Sequence, residues 1–286
     1  MKIIKDVKEM FLTSQKEILN NKKIGFVPTM GALHDGHLSL IRQSKKDNDI
    51  TIVSIFVNPT QFGPNEDFNK YPRTIEQDIE LLEKENVDYL FLPNTKDMYS
   101  EGFETYVNLE KLPNHLCGLK RPGHFRGVAT IVLKLFNIVR PHKSYFGQKD
   151  YQQYLIIKRM AEDLNCFVDI VMMPIVRESD GLAMSSRNRY LNQEQRKNAT
   201  ILFESLQLAK NEIKNGETNP KIIIEKMKNL ILNKYLKAKI DYIEIVDLNT
   251  LEELHTIKES CLIALAVFIG EARLIDNIII NKNEKC

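Results

Sequence analysis

Short apolar runs rich in Val, Ile and Phe alternate with amphipathic stretches over the first 176 residues, and this rhythm constrains the fold more than any other feature. Such runs are typical of parallel strands that helices cover on both faces. The predicted strands are residues 24–29, 50–58, 87–93, 144–146 and 167–176. The sequence therefore predicts an α/β fold built on a doubly wound, Rossmann-like parallel sheet.

Apolar residues at helical spacing predict helices between these strands. The predicted helices run from the first strand's turn through Asp47, then over residues 74–86, 128–139 and 151–164. From residue 192 the order changes to two helical stretches followed by apolar runs at 241–247, 261–269 and 274–281. We therefore expect a Rossmann-like domain over residues 1–176 and a smaller C-terminal α+β domain over residues 177–286.

Composition excludes several classes of protein. Forty basic and 38 acidic residues leave a formal net charge of +2, which is too balanced for a nucleic-acid or anionic-membrane surface. The longest apolar stretches are about half of what a transmembrane helix needs. Cys117, Cys166, Cys261 and Cys286 are scattered without a C-x-x-C pair. Reduced thiols are the simplest account, and we expect a cytoplasmic protein with no membrane or nucleic-acid partner.

The strongest local motif is Pro-Thr-Met-Gly-Ala-Leu-His-Asp-Gly-His at residues 28–37, directly after the first predicted strand. The carboxyl end of such a strand, next to a helix N-terminus, is where phosphates bind in doubly wound folds. His34 and His37 lie on one side of a helical turn and could donate hydrogen bonds to phosphate oxygens. The alternatives are two unrelated surface histidines or half of a metal site, although the sequence offers no third zinc ligand nearby.

A second motif, Phe-Val-Asn-Pro-Thr-Gln-Phe at residues 56–62, ends the next predicted strand. Asn58 and Gln61 offer uncharged donors and acceptors for a hydroxyl and a carboxylate. Taken alone, Asn-Pro is only a turn signal. Its position beside the histidine motif is what indicates a binding site.

A third motif, Phe-Gly-Gln-Lys-Asp-Tyr-Gln-Gln at residues 146–153, follows a strand and opens a helix. Lys149 is placed to meet a phosphate, and Gln153 lies one turn further along. Asp150 could accept from a ribose hydroxyl or simply cap the helix. A fourth motif, Met-Ser-Ser-Arg at residues 184–187, supplies two hydroxyls and a guanidinium suited to a mobile phosphate clamp.

The ordered motifs PTMGALHDGH, FVNPTQF, YPRT, RPGHFRGV, FGQKDYQQ and MSSRN resemble those of the pantothenate synthetase family, and the resemblance runs from Ile24 to Asn277. That family belongs to the nucleotidyltransferases that resemble class I aminoacyl-tRNA synthetases. His-Asp-Gly-His is similar to their HIGH signature, and Met-Ser-Ser-Arg is similar to their KMSKS loop.

The resemblance implies roles for individual residues. Its implied ATP-binding residues are Met30, Gly31, Ala32, Leu33, His34, Asp35, Gly36, His37, Gly147, Gln148, Lys149, Asp150, Val176, Met184, Ser185, Ser186 and Arg187. Of these, His34, His37, Lys149 and Arg187 surround the reacting phosphates, with His37 as the usual proton donor. Its implied substrate and metal residues are Gln61 and Gln153 for pantoate, Asn58 and Tyr71 in the pocket wall, and Asp78 near Mg²⁺. Arg121, His124 and Arg126 are implied in the pocket or at the subunit interface.

The implied reaction is ATP-dependent condensation of pantoate with β-alanine through a pantoyl-adenylate, releasing AMP and pyrophosphate. The resemblance also implies Mg²⁺ and a homodimer. Two other functions share the same sequence signals. One is a cytidylyl- or adenylyltransferase that keeps the nucleotidyl group on its product, and the other is a regulatory protein that binds ATP without turnover.

Overall fold

The structure, a computed structural model, describes residues 1–64 and 66–281. Within these residues, nine strands and ten α-helices are formed. The strands are β1 Lys2–Ile4, β2 Ile24–Thr29, β3 Ile50–Ile55, β4 Tyr89–Phe91, β5 Lys143–Gly147, β6 Asp169–Met173, β7 Lys239–Val246, β8 Ser260–Ile269 and β9 Ala272–Asn281. The α-helices are α1 Val7–Leu19, α2 Asp35–Asp47, α3 Ile75–Lys84, α4 Thr95–Met98, α5 Leu116–Lys120, α6 His124–Val139, α7 Tyr151–Asp163, α8 Gln193–Asn198, α9 Ile201–Lys214 and α10 Pro220–Lys234.

The first six strands form one parallel sheet in the order β1-β4-β3-β2-β5-β6. Residues of α1, α6 and α7 pack on one face, and residues of α2 and α3 pack on the other. The apolar sequence of β2 explains why both faces of the sheet are covered. Phe26 is buried against the α1, α6 and α7 layer, and Val27 is buried against the α2 and α3 layer. The predicted doubly wound α/β fold is confirmed.

The prediction that residues 24–29 form the first strand is wrong. Strand β1 precedes it and pairs in parallel with β4 at the edge of the sheet. Only Ile4 of its three residues is buried, so β1 has no apolar run or alternation that sequence reading could detect. The predicted strand 50–58 ends earlier, at Ile55, because the chain then turns into a 3-10 helix over Pro59–Gln61.

The C-terminal part contains a three-stranded antiparallel sheet in the order β7-β8-β9. Helices α9 and α10 cover one face of this sheet and share its apolar core. The expected two helical stretches are three helices, since Ala199 and Thr200 separate α8 from α9. Both residues have helical backbone angles, which is why the sequence pattern merges the two helices.

The other face of the antiparallel sheet packs against the parallel sheet's helical layer. Tyr242, Leu262 and Ala264 belong to the same apolar cluster as residues of α6 and α7. Tyr151 Oη also donates to the carbonyl of Leu248 at 3.1 Å. The two sheets therefore share one core and leave a cleft at its edge. No helix among residues 1–64 and 66–281 is both long and apolar enough to cross a bilayer.

Candidate active site

A cavity of about 220 Å³, here called the inner cavity, lies at the carboxyl ends of β2, β3, β5 and β6. The strand order reverses between β2 and β5, which is the switch point where ligands bind in doubly wound sheets. Predicted site residues that line it are Met30, His34, Gly36, His37, Asn58, Gln61, Tyr71, Gly147, Lys149, Asp150, Gln153, Val176, Met184, Ser185, Ser186 and Arg187. Residues from four separate sequence motifs thus meet at one place.

The loop after β2 is fixed from behind by Asp78 of α3. Its carboxylate accepts from the backbone N–H groups of Ala32 at 2.9 Å and Leu33 at 2.8 Å. Gly31 and Ala32 both have positive φ angles, 82° and 51°, and a Cβ on Gly31 would lie 3.0 Å from the Asp78 carboxylate. Asp78 is 2% exposed and does not line the inner cavity. It supports the loop, and both of its oxygens point at backbone donors.

His34 and His37 begin α2 and are locked by the helix backbone. His34 Nδ1 accepts from Gly36 N at 3.2 Å, and His37 Nδ1 is 3.4 Å from His34 N. The two rings lie 4.1 Å apart between centroids. Because each Nδ1 accepts, each ring carries its proton on Nε2 and presents an N–H donor.

Burial governs the protonation of both rings. Loss of solvent, and then the Lys149 ammonium, lower the pKa of His34 to about 4. Burial, and then the neighbouring His34 ring, hold the pKa of His37 well below its usual value. Both imidazoles are therefore neutral donors at pH 7 in the free protein.

Gln61 lies in the wall of the inner cavity and is fixed by Asn58. Asn58 Nδ2 donates to Gln61 Oε1 at 3.2 Å and to the Gly127 carbonyl at 3.1 Å. Its Oδ1 accepts from Tyr99 Oη at 2.8 Å and from Thr60 Oγ1 at 3.0 Å. The buried Asn58 amide is thus satisfied within the protein, and it orients the neighbouring Gln61 amide.

Lys149 and Asp150 lie where β5 passes into α7. Lys149 Nζ is 3.7 Å from Asp150 Oδ2, and the lysine side chain is 20% exposed. Asp150 occupies the N-cap position of α7, yet its side chain makes no capping hydrogen bond. Its carboxylate faces the cavity beside Lys149, which differs from the simple capping role considered above.

The segment 184–187 closes the inner cavity from the opposite side. Arg187 donates to Asp67 through Nε at 3.1 Å and through Nη2 at 2.9 Å. Ser185 Oγ accepts from Arg187 N at 3.2 Å, and Ser186 Oγ is 3.4 Å from Tyr71 Oη. The guanidinium that was predicted to meet phosphate is therefore paired with a carboxylate here.

Six of the residues predicted to bind ATP or metal do not line the inner cavity, namely Gly31, Ala32, Leu33, Asp35, Gln148 and Asp78. Residues 31–33 are buried in the loop backbone, and Asp35 is exposed on the first turn of α2. Among the described residues, the structure shows no group of three or more His, Cys, Asp or Glu side chains arranged for a metal.

A larger cleft of about 940 Å³, the outer cavity, adjoins the inner one and shares Lys149, Asp150 and Arg187 with it. Arg121 lies in its wall in a bidentate pair with Glu66, with Nε–Oε1 at 2.6 Å and Nη2–Oε2 at 2.5 Å. Sequence reasoning missed Glu66, because a Glu beside Asp67 in a polar segment carries no signal that sets it apart.

His124, which also lines the outer cavity, braces the Gln61 backbone. Its Nδ1 lies 2.7 Å from the Gln61 carbonyl, and its Nε2 lies 3.1 Å from Arg121 Nη1. Burial, and then the Arg121 charge, lower the pKa of His124 to about 4, so this imidazole is neutral. Arg126 is exposed and stacks 4.5 Å from the Tyr106 ring centroid.

The chain matches the family model described as pantoate-beta-alanine ligase over residues 2–279. It is 56% identical over 283 residues to the pantothenate synthetase of Fervidobacterium nodosum, covering 98% of this chain and 100% of that one. The crystal structure of pantothenate synthetase from Thermus thermophilus superposes with a TM-score of 0.92 at 42% identity, covering 97% of this chain and 99% of that one.

The pantoate-beta-alanine ligase of Francisella tularensis, solved in complex with beta-gamma ATP and beta-alanine, matches with a TM-score of 0.81 at 38% identity, covering 98% and 97% of the two chains. Family model, sequence relatives and solved structures thus agree over nearly the whole length. Together with the inner cavity at the switch point of the sheet, they establish that this chain belongs to the pantoate-beta-alanine ligase family.

Proposed function

We propose that the inner cavity catalyses both halves of an AMP-forming ligation, in which pantoate is activated as pantoyl-adenylate and then joined to β-alanine. The observation that carries this proposal is the meeting of two kinds of group in one cavity. Cationic and imidazole donors line one part, and the amides of Gln61 and Gln153 line another. A site that only bound nucleotide would have no use for the second set.

The ATP phosphates are proposed to lie between the N-terminus of α2 and Lys149. Helix N-termini favour anions, and His34 and His37 each add an N–H donor there. Lys149 supplies a full positive charge from the short turn that follows the neighbouring strand, β5. The arrangement places preorganised donors where charge develops during nucleotidyl transfer. Beta-gamma ATP bound to the Francisella relative supports this nucleotide.

Pantoate is proposed to lie deeper, between Gln61, Gln153 and the apolar face of α6. Val128, Ile131 and Val132 of that helix line the same cavity, and they suit the two methyl groups of pantoate. Amides can hold its hydroxyls and carboxylate without adding charge. Tyr71 lies in the same wall. Asn58, whose own groups are satisfied, is proposed to act through Gln61.

The first half-reaction needs no general base, because the pantoate carboxylate is already a nucleophile. Its oxygen attacks the α-phosphorus, the bond to pyrophosphate breaks, and the adenylate forms. Positioning and charge stabilisation by His34, His37 and Lys149 are then the work of the site. In the second half-reaction the neutral amine of β-alanine attacks the acyl carbon, and AMP leaves.

Arg187 is proposed to move from Asp67 to the β- and γ-phosphates when ATP binds, and to stay on them as pyrophosphate forms. Its bidentate pair with Asp67 holds the guanidinium at the cavity edge before ATP arrives. Phosphate oxygens offer the same bidentate geometry with more charge. This exchange would close the 184–187 segment over the adenylate and exclude water.

Mg²⁺ is proposed to enter as the complex with ATP. The ion usually keeps several waters and binds substrate phosphates with few protein ligands. Asp78 does not fit as a direct ligand, since both oxygens accept from the backbone and the side chain is buried behind the loop. Asp78 is therefore proposed to support the phosphate-binding loop, and not to hold the metal.

We propose that the chain acts as two domains, over residues 1–176 and 177–286, with the second forming part of the lid. The parallel sheet ends at Met173 and the antiparallel sheet begins at Lys239, which supports a boundary near Val176. Domain closure on ATP would appear as a decrease in radius of gyration by small-angle X-ray scattering. An unchanged radius with saturating ATP and pantoate contradicts the lid.

We propose that the protein forms a homodimer through the edge strand β6. Ile170 to Met173 are all partly exposed, and Phe167 beside them is 98% exposed. An apolar edge strand pairs readily with another copy. Analytical ultracentrifugation should show a dimer that Phe167→Glu weakens and that Leu236→Glu, at another exposed apolar residue, leaves intact.

We also propose a cytoplasmic location, which the free thiols of Cys117 and Cys166 support.

The deciding experiment incubates the pure protein with Mg-ATP, pantoate and β-alanine and omits each in turn. The ligase predicts AMP, pyrophosphate and pantothenate together, and only in the complete mixture. Nucleotide retained on a product would indicate a transferase, and ATP binding without turnover would indicate a regulatory protein. A pH-rate profile of His37→Asn then separates proton donation from phosphate binding, because loss of a proton donor removes one limb of the profile.

A further inference from the structure

Strand β9 carries two polar residues in the middle of an apolar sequence, Leu-Ile-Asp-Asn-Ile-Ile-Ile at residues 274–280. Asp276 and Asn277 are each 3% exposed. Adjacent residues of a strand point to opposite faces, so this pair places one polar group in each layer beside the strand. Burying such groups is unfavourable unless each finds partners.

Asn277 finds its partners in the segment that carries Lys149. Its Nδ2 donates to the carbonyls of Gln148 and Lys149, both at 2.9 Å. Its Oδ1 accepts from Gln148 Nε2 at 3.2 Å. Two hydrogen bonds to backbone carbonyls and one to the Gln148 side chain therefore tie the β5–α7 turn to the C-terminal sheet.

Asp276 finds its partner at the base of the segment that carries Arg187. Its carboxylate accepts from Arg177 Nη1 at 2.6 Å and Nη2 at 3.0 Å. Arg177 Nη1 also donates to the Gly181 carbonyl at 3.0 Å, and Val176 accepts from Met184 N at 3.0 Å. These contacts close a short turn that leads directly into residues 184–187.

We infer that Asp276 and Asn277 are positioning residues that set the distance between the two proposed phosphate-binding segments, 147–150 and 184–187. The two segments come from different parts of the chain, and one rigid strand braces both. Neither residue lines the inner cavity, and both face the adjoining outer cavity with their hydrogen-bonding groups occupied, so each acts through the residues that it holds. The inference rests on the ATP site proposed above.

The test measures the ATP dissociation constant by calorimetry, which needs no turnover. Asn277→Ala removes the braces of the Lys149 backbone, and we expect ATP binding about 10-fold weaker. Asn277→Asp, which turns an oxygen toward two carbonyls, should weaken binding more. Asn249→Ala and Asn249→Asp, at an exposed residue of the same C-terminal part, are the controls and should leave the constant unchanged.

Double-mutant cycles separate positioning from general loss of structure. Asn277→Ala should have little further effect in a Lys149→Ala background, and Asp276→Asn should have little further effect in an Arg187→Ala background. The crossed pair, Asn277→Ala with Arg187→Ala, should be additive. Thermal unfolding identifies any variant that fails to fold, and the milder Asn277→Ala then replaces Asn277→Asp.

Unchanged ATP affinity in folded Asn277→Ala overturns the inference, as does full additivity with Lys149→Ala. These outcomes differ from failure of the proposed function, which would appear as wild-type protein that makes no pantothenate. If the wild-type protein makes pantothenate and the Asn277 variants bind ATP as tightly as it does, only the positioning role is refuted.

Discussion

Polar side chains in the wall of the inner cavity differ from polar side chains in the layer behind it. In the wall, Lys149 is 3.7 Å from Asp150, and His34 turns an N–H away from its backbone contact. In the layer behind, Asp78 and Asn277 have their hydrogen-bonding groups occupied by the protein. The difference teaches that a buried polar residue near a site binds ligand only where its groups are left available. Substitutions in the wall should therefore reduce activity alone, and those behind should reduce stability as well.

The largest effect is expected from Lys149→Ala in the wall. Loss of the charge that faces the phosphates should lower kcat/KM about 100- to 1000-fold with little change in thermal stability. Lys158→Ala, at an exposed residue of the helix α7 that follows Lys149, is the control and should retain activity. A clear fall in the melting temperature of Lys149→Ala, together with the loss of kcat/KM, would contradict the distinction between residues in the cavity wall and residues in the layer behind it.

Asp78→Asn tests the layer behind the wall. An amide there places N–H groups against the Ala32 or Leu33 N–H donors, so we expect a loss of about 2 kcal/mol in the free energy of unfolding. The KM for ATP should rise about 10-fold as the loop shifts. Urea denaturation and steady-state kinetics measure both, with exposed Glu76→Gln on α3 as the control. A direct metal ligand would instead change the Mg²⁺ dependence and spare stability.

Gly127→Ala probes the support of the pantoate pocket. A Cβ there would lie 2.3 Å from the Thr60 carbonyl oxygen and 2.7 Å from Gln61 N, closer than any real contact. The displaced Gln61 should raise the KM for pantoate about 10-fold and leave that for ATP nearly unchanged. Gly63→Ala, whose Cβ would meet Glu66 at an ordinary 3.6 Å, is the matched control. Equal rises in both KM values would place Gln61 outside a separate pantoate pocket.

The effect that is smallest at pH 7.5, because it appears only as the pH falls, concerns His124. Its folded pKa, about 4, lies below the ordinary 6.5 because of burial and then Arg121, so below pH 6.5 the unfolded state takes up a proton that the folded state does not. The contribution to stability is full above pH 6.5 and falls as the pH drops toward 4, by at most about 3 kcal/mol.

His124→Asn should flatten this dependence while its amide still reaches the Gln61 carbonyl. Urea denaturation at pH 7.5, 6.0 and 5.0 measures the slope, and His255→Asn at an exposed site is the control. His34 and His37 contribute in the same direction, so part of the slope should remain. An unchanged slope in His124→Asn would show that the ring is not held neutral by its surroundings.

The sequence predicted the doubly wound sheet and the meeting of four motifs because both follow from local patterns. Continuous apolar runs identify buried parallel strands, and strand ends in such a sheet must converge at its switch point. Strand β1 was not predicted, because three residues are too few to show a hydrophobic periodicity. The division between α8 and α9 was not predicted, because the two residues between these helices have helical backbone angles.

What the tertiary structure alone decided is which polar residues are free to bind. Asn58 and Gln61 look alike in sequence, yet contacts from Thr60, Tyr99, Gly127 and Gln61 occupy every group of Asn58. The Gln61 amide N–H instead meets the Met30 thioether, a weak acceptor, at 2.8 Å, and a ligand oxygen can replace that contact. Asp276 and Asn277 are visible in the sequence as two polar residues within an apolar run. Their hydrogen-bond partners, Arg177, Gln148 and Lys149, lie about 100 to 130 residues away in the chain. Hydrogen-bond partners so distant in the chain have no local signature, because they are set by how the two sheets pack.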